Sequence, residues 1–128
     1  MPTTANRPVM KPSANHPITI QLNPARVLVM VGDQVIADTK KALTLREASY
    51  GDVQYIPRAD VRMDLLERTD NETYCPFKGE ASYFSIPAGG QATVNSVWIY
   101  ENPHEAVSKI KDYVAFYPNK VKLQEVRA

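Results

Sequence analysis

The chain has 128 residues, 44% hydrophobic and 23% charged, which suits one folded domain with its own core and excludes a disordered or fibrous protein. Fifteen basic against fourteen acidic residues give a formal charge of +1 with no run of five like charges, so no nucleic-acid or membrane footprint is present. One cysteine excludes an intrachain disulfide and any multi-cysteine zinc or iron–sulfur site, in keeping with a cytoplasmic setting, and no apolar stretch approaches the roughly 20 residues that span a bilayer.

Residues 1–17 hold Pro2, Pro8, Pro12 and Pro17 among small polar residues and are read as a flexible arm ahead of a single β-rich domain over residues 18–128. From Ile18 the pattern turns to β. Ile18 to Leu22 alternates, and Arg26 to Val31 runs through the turn residues Gly32-Asp33 into Val35 to Ala37, an antiparallel hairpin. Ala42 to Arg46 and Val53 to Ile56 are two further strands on either side of Gly51-Asp52. Pro57 ends that run, and Asp60 starts a short helix to Glu67 in which Val61 and Leu65 share a face. The polar stretch Arg68 to Glu72 reads as a loop. Gly79 to Ile86 is then a strand, Pro87 to Gly90 its turn, and Ala92 to Tyr100 a long return strand with Trp98 and Tyr100 on one face. Asn102-Pro103-His104-Glu105 has the residues of a helix cap and capping box, and an apolar stripe follows from Ala106. That helix is expected to give way near Asp112 to a strand, with Val121 to Val126 as the last one. The result is a mainly β fold with minor α: an antiparallel, barrel-like sheet folded on itself, with one short helix and one in the C-terminal half.

Chemistry concentrates in Thr73-Tyr74-Cys75-Pro76-Phe77-Lys78-Gly79. Cys75 is the candidate nucleophile, because a thiolate needs a cationic neighbour and Lys78 lies three residues on. The two histidines, His16 in the arm and His104 at a helix start, are poorly placed to serve it as base. Lys78 beside Gly79 can meet an anionic or polar ligand group, although neither a phosphate loop nor a dinucleotide fingerprint is present. Tyr83, Trp98 and Tyr100 on paired strands can line a concave surface or simply pack as core. Asp38, Glu47 and Asp60 sit at element ends, where caps and turns account for carboxylates, and no histidine stands at metal-ligand spacing.

A resemblance then emerges from Ala37-Asp38, Leu43 and Glu47, Tyr55-Ile56-Pro57 with Asp60-Val61, the string Thr73-x-Cys75-Pro76-x-Lys78-Gly79-x-Ala81-x-Tyr83, Trp98-x-Tyr100 with Pro103, and Phe116-Tyr117. From about Arg26 to Leu123 the chain is similar to the bacterial and fungal family known as domain of unknown function 427. The resemblance implies a β-tent-like fold and no established activity. Some proteins of that structural group hold zinc through paired cysteines, which Cys75 alone cannot provide, and a nucleotidyltransferase label given to the family lacks the paired acidic residues that would hold magnesium. No cofactor is therefore expected. Carried onto this chain, the motif implies a pocket lined by Glu47, Tyr55, Thr73, Cys75, Lys78, Tyr83, Trp98 and Tyr100. The wall at Tyr50-Gly51-Asp52 departs from the proline-rich link expected there. The leading expectation is a domain that binds a small anionic or polar metabolite. The alternatives are an enzyme using Cys75 as nucleophile or redox centre, and a protein-interaction module. Nothing in the sequence sets an oligomeric state.

Overall fold

The computed structural model describes residues 7–126. Its ten strands are β1 (Ile18–Asn23), β2 (Arg26–Val31), β3 (Gln34–Thr39), β4 (Ala42–Glu47), β5 (Val53–Pro57), β6 (Glu67–Cys75), β7 (Gly79–Ser85), β8 (Val97–Ile99), β9 (Tyr113–Phe116) and β10 (Lys122–Val126). They form a seven-stranded sheet in the order β1-β4-β5-β9-β8-β7-β6 and a three-stranded sheet in the order β10-β2-β3. Every pairing is antiparallel, and neither sheet closes into a barrel among the described residues. The fold is mainly β, as the alternating patterns require.

Strand alternation gives the large sheet two differently employed faces. One face carries Ile56, Phe84, Val97, Ile99, Val114 and Phe116, which pack against Val27, Val29 and Ile36 of the small sheet. The intervening residues Leu45, Tyr55, Ala81, Tyr83, Tyr100 and Ala115 point the other way and form a second cluster with Val107 and Ile110. The first face makes the core. The second, rich in tyrosine, lies under the 105–110 segment and opens into the site described below.

Several elements differ from the sequence pattern for identifiable reasons. The polar stretch read as a loop belongs to β6, an edge strand that pairs only with β7 and is mostly exposed, so it has no buried alternation to show. A register shift between Arg68 and Glu72 further blurs it. The long return strand shrinks to β8, because Pro87–Thr93 coils into 3₁₀ turns that kink at Gly90, whose φ is +60°. Thr93 Oγ1 donates to Ile86 O at 2.5 Å and ties that coil shut. Both helical segments form, but as 3₁₀ turns: Arg58–Asp60 with Met63–Leu65, and Glu105–Ile110 with a break at Val107. The capping box is not made, since His104 is the residue before the turn and gives it no side-chain cap bond. Asp60 instead accepts from Thr39 Oγ1 at 2.7 Å.

The arm is described from Arg7 onward, and residues 1–6 lie outside the described residues. Met10 N donates to Pro76 O at 3.0 Å, Tyr74 Oη donates to Pro8 O at 2.6 Å, and Arg7 pairs with Glu80 at 2.9 Å. The segment 7–17 is thus laid across the β6–β7 turn. For the core, Ile99→Ala at a fully buried position is expected to cost about 2–5 kcal/mol, read as a lower urea midpoint at unchanged slope.

Candidate functional site

The second face of the large sheet encloses a cavity of about 190 Å³. Leu45 and Glu47 of β4 and Val53 and Tyr55 of β5 supply one wall. Tyr83, Trp98, Tyr100 and Tyr117 supply the other, and Lys78 reaches in from the β6–β7 turn. Gly79 has a φ of +109°, a conformation that β-carbon-bearing residues rarely adopt, so glycine lets the turn present Lys78 in this way. The backbone carbonyl of Lys78 is held in turn by His104 N at 3.0 Å.

At the mouth, the Lys78 ammonium donates to Glu47 Oε1, and His16 Nε2 stands 2.7 Å from Glu47 Oε2. Both members of the ion pair are largely withdrawn from water, with side-chain exposures of 12% for Lys78 and 10% for Glu47. Burial pushes the Glu47 carboxyl up, yet the hydrogen bonds from Lys78 and His16 outweigh it and hold the carboxyl below its usual range. His16 also stacks on Phe77, with ring centroids 3.8 Å apart and planes at 9°.

Deeper in, Trp98 Nε1 donates to Tyr55 Oη at 3.3 Å, and the Trp98 ring leans on Tyr117 at 4.5 Å. The hydroxyls of Thr73 and Tyr83 lie 2.9 Å apart, and Tyr83 and Tyr117 share a longer contact of 3.5 Å. Burial first, and the bond with Tyr83 next, push the Tyr117 phenol up to about 12. Burial likewise keeps the phenols of Tyr55 and Tyr100 protonated far into the alkaline range. The cavity is lined with neutral hydroxyls beside one neutralised ion pair.

Six residues singled out in the sequence, Glu47, Tyr55, Lys78, Tyr83, Trp98 and Tyr100, meet at this cavity. Thr73 stands behind the wall and reaches it through Tyr83. Cys75 ends β6 opposite Gly79, half-buried and outside the lining. Tyr50 and Gly51 line the mouth, and His16 and Tyr117 join the site without having been picked out as members. Tyr117 was within reach of the pattern, since Tyr113, Ala115 and Tyr117 alternate onto the pocket face.

A family model described as a domain of unknown function, DUF427, matches residues 19–127. The chain belongs to that family. No curated protein matches it. His16 precedes the matched span, so a residue outside the DUF427 region completes the coordination of Glu47 within it. Among the described residues no group of three or more potential ligands could hold a metal ion, and no helix is long and apolar enough to cross a membrane.

The ion pair makes two predictions. Lys78→Met strands the Glu47 carboxylate and is expected to cost about 3 kcal/mol in urea unfolding, while Glu47→Gln combined with Lys78→Met recovers about 1 kcal/mol or more of that loss. Because the folded Glu47 carboxyl titrates below its unfolded value of 4.5, its contribution to stability is complete above that pH and is lost as pH falls through the lowered folded value. Urea midpoints from pH 7 to pH 3 should therefore fall more steeply for the wild type than for Glu47→Gln.

Proposed function

We propose that this DUF427 domain binds a small polar metabolite in the cavity closed by Lys78, Glu47 and His16. The observation that carries the reading is a nearly buried ion pair facing a space walled by Trp98 and four tyrosines. A charge pair withdrawn from water is costly to keep, and a protein gains little stability from it over a well-packed apolar pair. Its retention beside an open cavity is better explained by a ligand that uses it.

The same pair narrows the ligand. Lys78 is already neutralised by Glu47, so an incoming anion would meet a carboxylate as soon as it met the ammonium, which favours a polar uncharged group over an anionic one. The volume of about 190 Å³ lies below the usual 300–1,000 Å³ of ligand sites and suits a molecule of roughly one ring. A larger hollow of about 410 Å³ between the arm and β7 is less suited, because its ion pairs, Arg7 with Glu80 and Glu101 with Arg68, stand in solvent rather than withdrawn from it. A Cys75 nucleophile and a protein-interaction module draw less support. The ammonium nearest Cys75 in sequence is engaged by Glu47, and the exposed β6 edge is polar and irregular in register.

Trp98, the one tryptophan of the chain, lines the cavity, so its fluorescence reports occupancy directly. In a screen of uncharged and charged metabolites, a true ligand at about 100 times its Kd should add roughly 2.7 kcal/mol of stability and change Trp98 emission with the same midpoint. Val53→Phe, which puts a ring into the cavity, should abolish both responses. A screen in which no compound class moves the melting point, or responses that survive Val53→Phe, would overturn the reading.

A further inference from the structure

Tyr100 is 5% exposed and lines the cavity, yet among the described residues no group accepts from or donates to its hydroxyl. The hydroxyl is not sealed in protein either: Ser96 Oγ is the fully enclosed side-chain orphan among the described residues, and Tyr100 Oη is not in that condition. It therefore keeps some accessible surface, on a residue that lines the cavity. Tyr55, 1% exposed, receives the indole N–H of Trp98 on its oxygen, and among the described residues its own O–H proton has no acceptor. Lys78 carries three N–H donors, of which Glu47 Oε1 takes one.

Two phenol O–H groups and two ammonium N–H groups around this space thus have no acceptor among the described residues. A hydroxyl on so deeply buried a residue gains from a well-placed acceptor, so a ligand atom that accepts is favoured beside it. Burial and the surrounding Tyr55, Cys75, Tyr83 and Glu47 all act against a Tyr100 phenolate, which keeps the group a donor. From these placements we infer that the ligand is a planar, uncharged, single-ring compound bearing a carbonyl oxygen, with Tyr100 as the specificity-determining donor and Tyr55 as the second. The inference rests on the binding reading above and adds the ligand's class to it. The ring lies against Trp98 and Tyr117, where flat apolar area is available, and its carbonyl oxygen points at the two phenols.

The test uses four probes of similar size on the full chain, followed by Trp98 fluorescence and by the tyrosine ring signals in NMR. Acetophenone and benzamide carry the carbonyl, ethylbenzene replaces it with an apolar group, and benzoate replaces it with an anion. Acetophenone and benzamide should bind about five- to tenfold tighter than ethylbenzene, the value of one ordinary hydrogen bond, and benzoate should bind more weakly than benzamide. Tyr100→Phe should bring acetophenone to the level of ethylbenzene while leaving ethylbenzene unchanged. If ethylbenzene matches acetophenone, or Tyr100→Phe treats both alike, the carbonyl rule is wrong and the binding pocket stands. If benzoate binds best, the ligand is anionic and the rule is again wrong. If no probe perturbs Trp98 while the metabolite screen yields a ligand without a carbonyl, only the class is overturned, and silence in both experiments overturns the pocket as well. The wild-type probe series decides the matter even if Tyr100→Phe fails to fold.

Discussion

The contact between Lys78 and Glu47 is possible only because the large sheet curls on itself. Glu47 ends β4, and Lys78 sits in the turn before β7, four strand steps away in the order β4-β5-β9-β8-β7. At about 4.8 Å per step a flat sheet would hold those positions roughly 19 Å apart, far beyond an ion pair. Curvature brings them together, and the pair bridges the two sides of the curl. The short strands β8 and β9 at the middle of the sheet, three and four residues long, let it bend tightly there.

The rest of the molecule follows from that bend. The convex side needs a cover, which the three-stranded sheet provides through Val27, Val29 and Ile36, while the concave side becomes too narrow for a second sheet and fills with large tyrosines and Val107 and Ile110. Tyrosine suits that role because its ring fills space and its hydroxyl tolerates the polar mouth. The segment before β1 then crosses the gap between the sheet's two ends, with His16 stacked on Phe77 and bonded to Glu47. Glu47 is held from two sides by groups 31 residues away in either direction along the chain. Ordering of the mouth and capacity of the pocket are therefore one problem, solved by the same carboxylate.

Much of this was legible in the sequence. Strands β1 to β5, β7 and β9 declared themselves through alternation or β-prone runs set between turn residues, and the family string from Thr73 to Tyr83 placed Lys78 and Tyr83 together. What stayed hidden shares a cause. Edge strand β6 buries little, so Arg68 to Glu72 had no period to betray it. Asn102-Pro103-His104-Glu105 has the right residue types for a cap, but local propensity yielded to a chain path pinned by the bond from His104 N to Lys78 O. His16 lies in the proline-rich arm, where nothing local announces a partner 31 residues away. Cys75 drew notice for its chemistry, whereas the backbone of β6 leaves it outside the cavity that its neighbours line.

One carboxylate, Glu47, is held ionised where the sheet closes on itself. Titrating the Glu47 side-chain carbon by ¹³C NMR, from pH 7 downward in the folded protein, tests that most directly. The geometry predicts a midpoint below the ordinary 4.5, because Lys78 and His16 together outweigh burial. A midpoint at or above 4.5 would mean that the pair does not form in solution, and with it the curled sheet and the pocket would have to be drawn differently.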